Sequence, residues 1–165
     1  MKKTISIILL SITICFAAVG CGNEEAEVTT QMAFIGNPWS DWDSLEEAES
    51  AVGFSFGIPE TIADTYNATA FRTMNNEMIE VIYHDEDSEM RVRKQKGEGE
   101  DISGDYNEYD TCTEEDFDGG TITSYRSSES AKHIISYKGY SWSITVQNGY
   151  REELDADVFD KIMEK

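Results

Sequence analysis

The side chains of this 165-residue chain with chemistry to offer are two histidines, three cysteines, 33 carboxylates, three tryptophans and eight tyrosines. Spacing decides what that chemistry is. A zinc site needs nitrogen and sulfur ligands at short, regular intervals. His84, His133 and Cys112 have no such spacing, so no zinc is expected. Glu114, Asp116, Asp118 and Gly119 have the look of a calcium loop, but an EF-hand opens on Asp and closes on Glu at its twelfth position. Here those positions hold Glu114 and Tyr125, which excludes an EF-hand. The many oxygen ligands of residues 97–118 still leave room for a weak, irregular cation site. A Ser/His/acid constellation is assembled in space and stays open. No G-x-S-x-G turn marks a nucleophile, and there is neither a P-loop nor a dinucleotide fingerprint. Carboxylate pairs for glycoside cleavage cannot be told apart from the general acidity. Aromatic rings beside carboxylates remain: Trp39, Trp42, Tyr106 and Tyr109 are the candidate ligand-binding residues, suited to a cation or a sugar. The competing reading is that they clamp loops onto the core. No catalytic residue, metal ligand or cofactor is expected.

Cys21 has a different setting. Lys2 and Lys3 precede an apolar run, Ile5 to Val19, which Ser6, Ser11 and Thr13 interrupt, and Gly20-Cys21 follow. A basic start, a short apolar stretch and small residues at a cleavage point make a signal peptide. The run has about 15 residues, short of the ~20 that span a bilayer. Ala18-Val19-Gly20-Cys21 resembles the lipobox of bacterial lipoproteins. The resemblance implies cleavage between Gly20 and Cys21 and diacylglycerol on the Cys21 thiol. Two acyl chains, at about 0.8 kcal/mol per CH₂, hold a protein stably on a membrane. The expected place is the outer face of the cell membrane, with residues 1–20 removed.

Those 20 residues hold two of the 13 basic residues and no acid, so 11 basic residues would face 33 acidic ones, a formal charge of −22. Such a charge disfavours nucleic acid, which binds by having its phosphates neutralised. It also disfavours lying flat on anionic lipid. It suits solubility and attracts cations. Cys15 leaves with the signal and Cys21 goes to lipid, so Cys112 is left without a disulfide partner. Glu114 nearby lowers the reactivity of that thiol.

Residues 21–35 read as the lipidated Cys21 and an acidic tether, and residues 36–165 as one domain. Ser44 with Glu47 makes a capping box for a helix to Val52. Leu45, Ala48 and Val52 form its apolar stripe and Gly53 its stop. Phe54 and Phe56 alternate as in a short strand. Residues 68–74 form another, with a turn at Asn75-Asn76. Residues 78–84 and 89–95 pair as a hairpin. Val81 then faces Val92 and Tyr83 faces Met90 on one side, with Glu80 facing Arg93 and His84 facing Glu89 on the other. Residues 97–118, with ten acids and no base, read as irregular backbone folded back towards Arg91, Arg93, Lys94 and Lys96. Residues 131–137 and 140–147 pair around Lys138-Gly139, with Ile135 facing Trp142 and His133 facing Ile144. His133 thus falls on an apolar face, where a core histidine is the commoner outcome, and His84 borders an acidic turn. A last helix is expected from Asp155 as N-cap, with Leu154 and Phe159 as a staple. The predicted fold is α+β: a twisted, mainly antiparallel sheet of five to seven strands with an N-terminal and a C-terminal helix packed against it.

Asn37-Pro38-Trp39, Leu45-Glu46-Glu47-Ala48, Gly53-Phe54, Pro59 and Glu80-Val81-Ile82-Tyr83 resemble a small extracytoplasmic domain of Firmicutes. So do Met90 to Lys94, Asp101-Ile102-Ser103-Gly104-Asp105-Tyr106-Asn107 and Gly139 to Ile144, and the resemblance spans residues 36–165. Such domains occur in lipoproteins and outside the membrane helix of anti-sigma-like proteins. The resemblance implies binding or sensing at the envelope and brings no catalytic residues. The expected function is a lipid-anchored, non-enzymatic binding module. Its partners are the membrane, through the lipid, and an envelope protein or a small cationic ligand. The alternatives are an envelope hydrolase with a dispersed acidic site and a cation-responsive module using residues 97–118.

Overall fold

Alternation of apolar and polar side chains writes most of this fold as strands. The computed structural model describes residues 37–163, apart from Asp87 and the side chain of Glu153. The signal peptide, the Gly20/Cys21 cleavage point and the tether lie outside the described residues. In chain order the elements are β1 (Trp39–Trp42), α1 (Leu45–Val52), β2 (Thr61–Ile62), β3 (Tyr66–Met74), β4 (Met78–Asp85) and β5 (Ser88–Lys96). Then come β6 (Thr111–Phe117), β7 (Gly120–Arg126), β8 (Ala131–Tyr137), β9 (Tyr140–Gln147) and α2 (Glu152–Met163).

The strands make one antiparallel sheet in the order β1-β3-β4-β5-β9-β8-β7-β6, with β2 added beside β3. Two meanders, β3-β4-β5 and β6-β7-β8-β9, join where β5 pairs with β9. That joint forces the connection between β5 and β6 to cross the sheet. Residues 97–110 make this crossing.

Because side chains alternate, the register sorts them into two faces. Val81, Tyr83, Met90, Val92, Ile135, Trp142, Ile144 and Val146 share one, and with them Val52 of α1 and Leu154, Val158 and Ile162 of α2 form the buried cluster. Glu80, Arg93, Ser143 and Lys132 point to the other. The crossing segment packs there: Arg93 and Lys132 reach its carbonyls, and Ile102 and Ser103 are buried.

The α+β class with a mainly antiparallel sheet holds, but the sheet has nine strands rather than five to seven. β1 precedes α1, so the first element is not a helix. Phe54 and Phe56 do not form a strand. Gly57 takes φ +89° and Phe56 N–H donates to Glu49 Oε1 at 2.6 Å, so this stretch spends its backbone on local bonds. The segment expected to be irregular over 97–118 is a strand from Thr111 onward, held by the ladder to β7 and exposed on both faces. α2 begins at Glu152, and Asp155 lies inside it instead of capping it. Its carboxylate is committed to Arg126 and Tyr150, and Leu154 is already within the helix.

The local signals elsewhere act as read. Ser44 Oγ accepts from Glu47 N–H at 3.3 Å, and Gly53 ends α1 at φ +72° with its N–H on Glu49 O. Glu47 Oε2 accepts from Asp43 N–H, one residue before the return contact of a capping box. Asn75-Asn76 and Lys138-Gly139 all take positive φ, the conformation of two-residue hairpin turns.

Candidate functional site

Polar side chains gather on the crossing-segment face, under α2, and around a pocket beside the last turn of α2. On the crossing-segment face, Arg72, Glu80 and Arg93 lie in one row across β3, β4 and β5. Glu80 is 0% exposed. A buried carboxylate is costly unless paired. Its Oε1 accepts from Arg72 Nε at 2.8 Å and from Arg72 Nη2, and its Oε2 accepts from Arg93 Nε at 2.7 Å. The Trp39 ring lies 5.2 and 5.1 Å from the two guanidiniums. Arg93 Nη1 donates onward to the carbonyls of Ile102 and Ser103 at 2.8 and 2.6 Å.

Farther along this face, Lys132 Nζ donates to Asp105 O at 3.1 Å and Asp101 Oδ2 at 3.3 Å, and lies 4.5 Å from the Tyr125 ring. Tyr109 packs on Tyr125 and donates its O–H to Asp105 Oδ2 at 2.5 Å. Partial burial pushes the Asp101 carboxyl up, but hydrogen bonds from Ser103 and the Lys132 ammonium outweigh it and hold it below its ordinary value. Burial and Asp105 together push the Tyr109 phenol up.

This face accounts for two of the four aromatic candidates. Trp39 is faced by two cations of the chain itself, Arg72 and Arg93, and Tyr109 is bonded to Asp105. Trp42, three residues on in an extended strand, turns to the other face and donates Nε1–H to Thr73 Oγ1 at 2.9 Å. Tyr106 is 95% exposed. The four residues do not converge on one site.

On the opposite face, under α2, lies a buried relay. His133 is 0% exposed. Its Nδ1 is 2.9 Å from Ser124 Oγ, and its Nε2 is 3.0 Å from Asp155 Oδ1 without hydrogen-bond alignment. Asp155 Oδ2 accepts from Arg126 Nη2 at 2.9 Å and Tyr150 O–H at 2.8 Å. Burial pushes the Asp155 carboxyl up, yet His133, Arg126 and Tyr150 together hold it below its ordinary value. Burial and Asp155 push the Tyr150 phenol up to about 12. Phe159 stands edge-on to the imidazole with centroids 5.1 Å apart. The sequence of contacts is Ser–His–Asp, but Ser124 and His133 are both buried, which keeps a substrate away.

The third group lines a pocket of about 210 Å³ at the end of the sheet, beside the last turn of α2. Its walls are Phe56, Tyr137, Tyr140, Trp142 and Ile162, and three lysines line it: Lys94, Lys138 and Lys161. Lys94 is in phase with Met90 and Val92, on the apolar side of β5, opposite Trp142. It is 8% exposed. Its Nζ donates to Ser55 O at 2.5 Å and to Phe56 O at 3.3 Å. Nζ also lies 4.3 Å from the Tyr140 ring and 4.5 Å from the Trp142 ring. Lys138 Nζ lies 4.8 Å from the Tyr137 ring. Sequence reasoning missed these lysines. The available signal was a lysine in register with apolar residues and facing a tryptophan.

The other candidates are scattered. His84 Nε2 stands 3.6 Å from Glu89 Oε2 at the end of β4. Cys112 is exposed on β6, facing Tyr125. Among the described residues no three His, Cys, Asp or Glu side chains are grouped to hold a metal, and no helix there is long and apolar enough to cross a membrane. Scans against family models, curated proteins and solved structures return no match to this chain.

Proposed function

We propose that this chain is a lipid-anchored extracytoplasmic module that binds a small ligand in the lysine-lined pocket and works by binding rather than by catalysis. One observation carries the reading. The pocket is concave, its walls are aromatic, and polar groups converge on it, which is the usual make-up of a small-molecule site. The burial of Ser124 and His133 weighs against hydrolysis at the relay. The resemblance of Ala18 to Cys21 to a lipobox supports the anchor.

Metabolic labelling with an alkyne-bearing fatty acid tests the anchor. The wild-type chain takes up label and sediments with membranes, whereas Cys21→Ala takes up none and is released. A labelled Cys21→Ala chain would overturn the anchor.

A further inference from the structure

We propose that His133 works as a proton-operated clasp on α2. When the ring takes up a proton, its hold on Asp155 tightens and α2 sits more firmly on the sheet.

The clasp is built from positions that face one another across several elements. His133 on β8 is 0% exposed. Ser124 lies opposite it on β7 and Ile144 on β9. α2 brings Asp155 and the edge-on ring of Phe159. Tyr150, between β9 and α2, has its ring centroid 6.3 Å from that of the imidazole. Arg126, two residues beyond Ser124 on β7, donates to the same carboxylate from the sheet side. Among the described residues Asp155 is the carboxylate at the imidazole, and it belongs to the helix.

The ring can change its charge in place. Nε2 is 3.0 Å from Asp155 Oδ1. A bare nitrogen there would set one lone pair against another, so Nε2 carries a hydrogen. Nδ1 is 2.9 Å from Ser124 Oγ, and a hydroxyl both donates and accepts. In the neutral ring Nδ1 accepts from the Ser124 O–H. In the charged ring Nδ1 holds a proton from solvent, admitted by local opening of α2, and the new N–H donates to Ser124 Oγ. Each state finds its partners without moving a strand.

The direction follows from where the charges sit. Burial opposes the charged ring, and a carboxylate at hydrogen-bond distance favours it. Asp155 is held below its ordinary value, so it is ionised throughout the range in which an imidazole titrates. With α2 displaced, His133 and Arg126 would be left on adjacent strands without that carboxylate between them. The charged ring therefore favours the docked helix. A ring that gains such a partner on docking contributes stability that is present at lower pH and lost as pH rises. Ile162 of the same helix lines the pocket, so the clasp also sets how firmly that wall is held. Only this last consequence rests on the binding reading, and the test below needs no ligand.

The test is hydrogen exchange of the full chain carrying Cys21→Ala, read as protection factors at about pH 5.5 and about pH 8.5, either side of the ordinary imidazole range. α2 is expected to lose about tenfold in protection between the two, while β5 keeps its own. His133→Gln keeps an N–H for Asp155 but takes up no proton, and is expected to abolish the difference. Asp155→Asn is expected to abolish it too. His84→Gln removes the other histidine of the chain and is expected to leave the difference intact.

Protection of α2 that is unchanged or higher at about pH 8.5 would overturn the clasp. So would a difference that survives in His133→Gln or Asp155→Asn, or one that disappears in His84→Gln. Ring ¹⁵N spectra of the chain with His133 and Asp155 intact decide the matter even if those variants fold poorly. Both His133 nitrogens are expected to carry protons at about pH 5.5 and Nε2 alone at about pH 8.5. A ring in one protonation state at both would overturn the clasp as well.

Discussion

The two faces of the sheet are stabilised in different ways. Under α2, Leu154, Val158 and Ile162 meet the apolar residues of β4, β5, β8 and β9. Each such side chain contributes about 1.5–3 kcal/mol through area removed from water. That contribution is non-directional, and swaps that conserve volume keep most of it. Under the crossing segment the contacts are directional. Glu80 is satisfied only while both Arg72 and Arg93 point at it, and Arg93 is also the donor that seats Ile102 and Ser103. The apolar face makes the domain stable, while the polar face decides which path residues 97–110 take. A crossing built on apolar contacts could slide. One held by two carbonyls on one guanidinium has a single register.

The largest effect should come from breaking the polar row. Glu80→Ala leaves two arginines partly buried without their carboxylate and is expected to cost about 3–5 kcal/mol in urea unfolding. If the row acts through charge pairing, Glu80→Met with Arg72→Leu and Arg93→Leu should recover most of that loss. The triple variant should still lose amide-exchange protection over residues 97–110, because the donor to Ile102 O and Ser103 O is gone. Full protection in that variant would mean that the crossing is held by something other than Arg93.

The relay under α2 supplies the next test, since it sets a partly buried carboxylate against the apolar face. Asp155→Asn is expected to destabilise by about 1–3 kcal/mol at neutral pH. The folded carboxyl is held below its ordinary value. Its contribution is therefore present above the unfolded carboxylate pKa and is lost as pH falls through the lower folded one. The gap between wild type and Asp155→Asn should be full at neutral pH and shrink below about pH 4. Tyr150, pushed up to about 12, stays a donor throughout that range. A gap independent of pH would assign Asp155 a packing role instead of an ionic one.

How far the sequence carried this fold depends on what holds each part. The β4–β5 and β8–β9 registers were legible because partners on both faces agree: Val81 with Val92, Glu80 with Arg93, Ile135 with Trp142. β6 was not, since Thr111 to Phe117 has no alternation to read. Its side chains are exposed on both faces, and only the backbone ladder to β7 makes it a strand. Dense acid on such an edge also discourages pairing with another chain. The start of α2 was misread because Asp155 suits a cap, while its carboxylate is bound by groups 29 and 5 residues away. The aromatic candidates were read as open to a cation, but two of the chain's own arginines already occupy the Trp39 face. The pocket lysines were illegible for a related reason. Lys94 counts as polar in any pattern, and only the folded strand shows its stem on the apolar face beside Trp142.

The smallest effect asked of the comparison concerns the path of the crossing alone. Gly104 takes φ +62°, and a Cβ there would lie 2.8 Å from Arg93 Nη1, the atom that donates to Ile102 O and Ser103 O. Gly104→Ala thus meets an unfavourable backbone conformation and displaces a guanidinium that is itself tied to Glu80. The expected cost is about 1–2 kcal/mol, below that of Glu80→Ala because the carboxylate keeps Arg72. If the polar face works as a register lock, the loss should be local. Amide protection should fall over residues 99–106, while the protection of β8 and β9 and the packing of Ile135 on Trp142 stay as they are. A global loss equal to that of Glu80→Ala would show instead that sheet and crossing fold as one inseparable unit, and the division of labour between the two faces would fail.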